Sequence, residues 1–150
     1  MNSKENLRLS GKLNIVLTDA EGNIKANREV HNLVVSSGLT FIASRMAGTA
    51  SGVMSHMALG SGTTPPAGGN IDLGSIIGSR VGLTSTTPSD NTVAYVASFG
   101  PGVSTGAVTE AGIFNASTSG TMLCRTVFDV INKGALDTMT ITWTITLAAV

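Results

Sequence analysis

The segment Thr138–Leu147 alternates strictly between threonine and apolar side chains. Because successive side chains of a β-strand point to opposite faces, this pattern predicts a strand with one buried face and one face of threonines. A sheet with a single buried face is typical of antiparallel architecture. We therefore expect the large apolar side chains of this segment to lie in the core, namely Ile141, Trp143 and Ile145.

The N-terminal part of the chain predicts a β-hairpin. "LRLSGKLNIVLTD" places its leucine and isoleucine residues on one parity, which is the period of a half-buried strand. Asp19–Asn23 has the composition of a turn, and a second strand-like stretch follows it.

One helix is predicted, at about residues 37–47. Ser36 or Ser37 is placed to cap it, and Gly48 follows it. Its apolar residues are spaced i, i+3, i+4 and i+7, a stripe that would pack over a sheet, and they are Leu39, Ile42, Ala43 and Met46.

The remaining chain reads as β structure with long connections. We expect loops and one or two short strands over residues 48–92, and a central strand in "TVAYVASFG" because it is apolar on both parities. The predicted fold is mainly β, an antiparallel β-sandwich or barrel with one short inserted α-helix, with Phe114 and Phe128 also in the core. We expect residues 1–150 to form a single domain with a flexible N-terminal arm at residues 1–8.

The composition is poor in charge. Charged residues make up 12% of the 150 residues and the formal net charge is +0, whereas about 25% is usual. This balance predicts neither a nucleic-acid partner nor a membrane partner. No signal peptide or membrane span is seen, so we expect synthesis in a cytoplasm. Low charge favours an assembly subunit, although an ordinary threonine-rich β protein would share this composition.

Motifs that could carry chemistry are incomplete. Gly60 and Gly62 of "GSGTTPP" suggest a phosphate loop, but Pro65 replaces the third glycine and no helix follows. "GVSTG" around Ser104 matches a nucleophile elbow, yet a strand-like stretch follows it. His31 and His56 lack metal-ligand spacing, and the single cysteine, Cys124, is interpreted as a small buried residue. We therefore predict no catalytic residue, metal or cofactor.

Three charged residues, Arg80, Glu110 and Arg125, lie in otherwise apolar, β-rich stretches. A charge in such surroundings is unfavourable unless it is paired. We expect Glu110 to pair with Arg80, with Arg125 or with both, and the pair to define strand register or an interface. The alternative is that all three side chains face solvent.

Several stretches together resemble a family of virion structural proteins from tailed bacteriophages. They are "NLVVSSG" at 32–38, "MALGSGTTPP" at 57–66, the lone Arg80, "TEAGIFN" at 109–115, "RTVF" at 125–128 and "TWTI" at 142–145. Their order and spacing match over residues 10–147. Similar sequences usually carry a small residue such as alanine at the position of Cys124. The resemblance implies a β protein without enzymatic activity.

The resemblance does not place the protein within the particle. We expect a capsid cement (decoration) protein on the capsid surface, a homotrimer that binds the major capsid protein through its N-terminal arm and hairpin. A tail-fibre or baseplate-associated protein is the alternative, although a long fibre normally shows repeats. A small hydrolase or ligand-binding β domain, using Ser104 or the Gly60–Gly62 loop, is a more remote one.

Overall fold

The computed structural model describes residues 6–49 and 52–149. The predicted mainly β, antiparallel fold with one short helix is confirmed. Residues 1–5 of the predicted flexible arm lie outside the described residues, whereas Leu7 and Arg8 already belong to the first strand. The elements are β1 (Leu7–Thr18), β2 (Ile24–Val34), α1 (Ser36–Met46), β3 (His56–Gly60), β4 (Val81–Gly82), β5 (Ser85–Ser89), β6 (Thr92–Phe99), β7 (Gly106–Phe114), β8 (Met122–Lys133) and β9 (Thr138–Ala149).

The strands form one curled antiparallel sheet in the order β4-β3-β7-β8-β2-β1-β9-β6-β5. Its two edge strands, β4 and β5, are consecutive in the chain. Between them, Leu83 donates its backbone N–H to Ser55, which precedes β3, and Thr84 donates to Val96 of β6. One segment, residues 81–89, therefore pairs with both ends of the sheet and holds it in the shape of a half-barrel.

The strand β9 has the buried and polar faces that its alternation predicts. It pairs with β1 from Thr138 to Ala149 and with β6 from Met139 to Thr146. The predicted core residues Ile141, Trp143, Ile145 and Phe114 are buried, and Phe128 is partly buried against the main core.

Strand β6 is an interior strand of the sheet, as predicted, because it pairs with β5 on one side and with β9 on the other. Its inward face carries Tyr95, Ala97 and Phe99, while Ala94 and Val96 lie on the threonine side of the sheet. Residues 48–92 also contain three short strands rather than one or two; β4 is a two-residue strand that pairs with the distant β3, and β5 forms a hairpin with β6.

Helix α1 lies where it was predicted, but its cap and its packing face differ. Val35 is the N-cap residue, and no side chain caps the helix. The Ser37 hydroxyl instead donates to the Met122 carbonyl at 2.9 Å. The helix ends at Met46, and Gly48 then takes a left-handed φ of +68°.

Of the predicted apolar stripe of α1, Ile42 is partly buried against the main core, whereas the other three residues are exposed. Leu39 is 48% exposed and Met46 is 86% exposed, whereas Gly38 is the buried residue of the helix. A Cβ at Gly38 would overlap the backbone carbonyl of Leu123. The helix is therefore positioned by the closest approach of two backbones, which apolar spacing does not report.

Asn32 spans a neighbouring strand to reach the buried indole of Trp143. The Trp143 Nε1–H donates to Asn32 Oδ1 at 2.9 Å, although β1 lies between β2 and β9. Gly11 of β1 is the register partner of Asn32, and a Cβ at Gly11 would overlap the Asn32 amide. The glycine therefore makes room for the hydrogen bond that pairs the indole.

We expect Gly11→Ala to lower the free energy of unfolding by about 2 kcal/mol, because the displaced Asn32 leaves the Trp143 N–H without an acceptor. Urea unfolding followed by the fluorescence of Trp143, the only tryptophan, measures this change. Asn32→Ala is the matched variant. The loss in the double variant should be smaller than the sum of the single losses, and strict additivity would contradict this account.

Candidate functional site

The loop between β3 and β4, residues 61–80, lies against the sheet, and its Ile77 packs against the main core. We call it the outer loop. Leu73 of this loop packs against a second, smaller cluster, which is formed by Val35, Ala58, Phe114 and Met122. The three charges singled out in the sequence all lie in or against the outer loop, so we examine it as the candidate site.

Glu110 and Arg125 form a buried ion pair beneath the outer loop. Their side chains are 0% and 2% exposed, and Glu110 Oε2 lies 3.6 Å from Arg125 Nη2. The two residues are diagonal neighbours, because Gly112 of β7 is the register partner of Arg125 on β8. The pairing of Glu110 with Arg125 is one of the alternatives that the sequence left open.

Each member of the pair also binds the outer loop. Glu110 Oε1 accepts the backbone N–H of Gly74 at 2.6 Å, and Arg125 Nη1 donates to Asn70 Oδ1 at 3.1 Å. Close by, the Thr109 hydroxyl donates to the Gly62 carbonyl at 2.8 Å. The ion pair therefore fastens the outer loop to β7 and β8 rather than only joining the two strands.

The glycines of "GSGTTPP" enclose the Glu110 carboxylate. A Cβ at Gly62 would overlap Glu110 Oε2, and one at Gly60 would lie 2.7 Å from Glu110 Cγ. In the sequence, Gly60 and Gly62 suggested a loop that could surround an anion, but the third glycine and the following helix of a phosphate site were missing. The structure explains both observations, because the anion that these glycines surround is a carboxylate of the chain itself.

Arg80 does not join this pair; it is the last residue of the outer loop, and its side chain binds the β7–β8 turn. Its guanidinium lies 3.6 Å from the centroid of the Phe114 ring and donates to the carbonyls of Ala116 and Ser119 at 2.9 and 2.7 Å. Its Nη2 is 3.7 Å from Asp72, and its side chain is 7% exposed. The alternative that all three charges face solvent is therefore wrong.

A buried ion pair of this kind contributes little net stability, because desolvation of both charges offsets their attraction. Two of its atoms, Glu110 Oε2 and Arg125 Nε, have no hydrogen-bond partner within the described residues. Removal of either partner would leave an uncompensated buried charge. We interpret the pair as specifying where the outer loop docks.

Arg125 also borders a cavity of about 400 Å³ between the outer loop and the sheet. Asn70, Asp72 and Gly74 are among the residues that line it. The positive charge of Arg125 is balanced by Glu110, and the Asp72 carboxylate is paired with Arg80. The cavity thus offers no unbalanced positive charge for a phosphate.

The other candidate residues are not brought together. Ser104 lies between β6 and β7, is 4% exposed, and its hydroxyl has no hydrogen-bond partner within the described ranges. Strand β7 follows it, not the helix of a nucleophile elbow. His56 contacts its neighbour Ser55 at 2.7 Å, whereas His31 lies on β2. Burial raises the pKa of the Cys124 thiol well above its usual value, which disfavours a reactive thiolate.

A second ionic cluster escaped the sequence analysis. At the β8–β9 turn, Asp137 Oδ2 accepts hydrogen bonds from Lys25 Nζ and the Gly134 N–H, both at 2.7 Å. Lys133 is 2% exposed and donates to the Gly100 carbonyl at 2.8 Å. A turn containing Gly134 and Asp137 could have been recognised from its composition. Its lysines could not have been recognised: Lys25 is distant from Asp137 in the sequence, and no local pattern indicates that Lys133 is buried.

These contacts change the ionisation of the cluster. The hydrogen bond from Lys25, followed by that from Gly134, lowers the pKa of the Asp137 carboxyl. Desolvation lowers the pKa of Lys133, and the attraction of Asp137 opposes that shift. Ionised Asp137 is therefore the form that the folded protein prefers.

Comparison with protein-family models, curated proteins and solved structures finds no match for this chain. No group of three or more His, Cys, Asp or Glu residues in the described ranges is placed to hold a metal ion. Within the same residues, no helix has the length and apolar character needed to cross a membrane. The site is therefore described by its geometry alone: a buried ion pair that holds the outer loop against β7 and β8.

We expect Gly62→Ala to destabilise the protein by about 3 kcal/mol, because the new methyl group displaces the Glu110 carboxylate and separates a buried pair. Gly69→Ala is the matched control in the same loop, since a Cβ there has no neighbour within 4 Å. Urea unfolding of both variants makes the comparison. Equal losses would show that the carboxylate does not need the space beside Gly62.

We expect the stabilising effect of Asp137 to depend on pH. Since its folded pKa lies below the usual value of 3.8, its contribution is present above that pH and is lost as the pH falls through the folded pKa. Asp137→Asn should therefore be less stable than the wild type at pH 7, and the difference should shrink as the pH falls below 3.8.

Chemical unfolding at several pH values tests this expectation. Asp129→Asn, which neutralises an exposed carboxylate of β8, is the control at neutral pH and should change stability little. A difference between Asp137→Asn and wild type that does not shrink in acid would contradict the assignment.

Proposed function

We propose that this chain is a non-enzymatic structural protein of a tailed-bacteriophage virion, and specifically a capsid cement protein that binds the major capsid protein. The observation that carries the proposal is that the stretches behind the resemblance contact one another in the fold. Arg80, Glu110 of "TEAGIFN" and Arg125 of "RTVF" are all buried and all hold the outer loop, which itself begins within "MALGSGTTPP". This is a structural role for the three charged residues, which supports a structural protein rather than an enzyme.

The charge distribution supports a role in assembly. The buried charges are engaged within the chain, and only 12% of all residues are charged. A surface poor in lysine and glutamate suits a subunit that is covered by partners, because the centres of interfaces are depleted of charge. We propose a homotrimer, the symmetry that suits repeated three-fold positions on a shell.

The proposed contact with the shell is the N-terminal hairpin. Leu7 at the start of β1 and Ile24 at the start of β2 are each 65% exposed, so apolar surface is available at both ends of this hairpin. Binding of many copies at repeated sites would stabilise the assembled shell by mass action.

The copy number of the protein in purified particles tests its position. A cement protein should be present at hundreds of copies, in proportion to the major capsid protein, and particles lacking it should release DNA at a lower temperature. Quantitative gel densitometry and a heat-release assay measure these two properties. Added purified protein should restore heat resistance. A stoichiometry of about a dozen copies would instead indicate the tail or baseplate, and absence from particles would contradict a virion role.

A further inference from the structure

One face of the sheet carries hydroxyl and small apolar side chains without any charge. The register of β5, β6 and β9 places eleven residues on this side, opposite to Trp143. We call them the threonine face: Ser85, Thr87, Ser89, Thr92, Ala94, Val96, Ser98, Thr140, Thr142, Thr144 and Thr146. The solvent side of an antiparallel sheet is usually polar and, on a monomer, rich in charge.

Charges border this face in two places: the exposed Asp90 lies in the β5–β6 turn, and further charges lie on the side towards β1 and β2. Lys12 of β1 is the register partner of Thr144, and its ammonium lies 3.5 Å from Glu29 of β2. Both side chains are more than half exposed, at 55% and 60%. An uncharged centre bordered by a polar, charged rim is the arrangement found in protein interfaces.

We propose that the threonine face is the surface through which a second copy of this chain binds. This inference rests on the proposed homo-oligomer and names the surface that would form it. Residues close to a symmetry axis meet their own copies, so a charge there would face a like charge. A threonine hydroxyl both donates and accepts hydrogen bonds and can therefore pair with its own copy.

The position and stiffness of the threonines support this inference. The threonine face and its charged rim together cover the five strands β2-β1-β9-β6-β5. Strand β9 is the middle strand of this run, so its row of threonines lies along the centre of the combined surface. Thr140, Thr142, Thr144 and Thr146 are each partly exposed. Because β-branched side chains have few rotamers, covering them loses little conformational entropy.

The size of the surface also fits a second copy. Together with the charged rim on β1 and β2, the threonine face spans five strands; at about 4.8 Å between strands and roughly 25 Å along them, this surface has a projected area of roughly 600 Å². This is of the order of the ~800 Å² that each partner buries in a standard interface. The edge strand β5 contains Pro88, which cannot donate a hydrogen bond, so edge-to-edge pairing is disfavoured relative to association through the face.

The test places lysines on the face and measures self-association. Sedimentation of the full-length wild type should give an oligomer, a multiple of the 15.2 kDa chain. Thr142→Lys combined with Thr144→Lys should weaken association by about 100-fold, through desolvated like charges. Thr87→Lys, on the fully exposed β5, should act in the same direction without risk to the fold. Thr118→Lys, exposed in the β7–β8 turn, is the matched control and should associate like the wild type.

A monomeric wild type, or lysine variants that associate as tightly as it does, would overturn the proposal. Far-UV circular dichroism and Trp143 fluorescence report whether each variant is folded. If the wild type is monomeric and the face variants lose binding to capsid shells, the face docks on the shell, and the virion role stands without this interface. If association is lost as expected but the protein is absent from particles, the self-association face stands and the virion role fails.

Discussion

A carboxylate with no exposed surface needs partners for both of its oxygens and space in which to meet them. Glu110 meets this demand in part: Oε1 accepts the N–H of Gly74, while Oε2 has no hydrogen bond and is balanced by the guanidinium charge of Arg125 at 3.6 Å. The space comes from Gly60 and Gly62, where a Cβ would intrude. Because the partners of this ion pair include the outer loop, satisfying one buried charge also decides where twenty residues of irregular chain lie.

The same physical device occurs a second time in the molecule. Asn32 reaches Trp143 only because Gly11 of the intervening strand lacks a side chain. In both places, a buried polar group is paired across the structure through space that a glycine leaves open. The first device holds a loop against the sheet, and the second links β2 to β9 across β1, so the two act on different parts of one curled sheet.

A protein built in this way uses its few buried charges for internal attachment. Arg80, Glu110 and Arg125 hold the outer loop, while Lys133 and Asp137 hold the β8–β9 turn, Asp137 with the help of the exposed Lys25. What faces outward over β5, β6 and β9 is hydroxyl-rich and uncharged. This division supports the proposal that the chain is an assembly subunit, since its surface chemistry suits contact with other protein rather than capture of a charged ligand.

The sequence by itself determined the elements whose signal is local. The alternation of β9, the N-terminal hairpin and the position of α1 follow from periods of two or 3.6 residues, which neighbouring residues impose on one another. The unfavourable burial of lone charges was also enough to predict that Glu110 is paired. Only the tertiary structure decided that its partner is Arg125 and that Arg80 binds Asp72 instead. It likewise decided that α1 packs through Gly38, that β6 lies near an edge and that residues 81–89 join both ends of the sheet. Each of these depends on which segments of the folded chain come into contact, and no local sequence pattern records that.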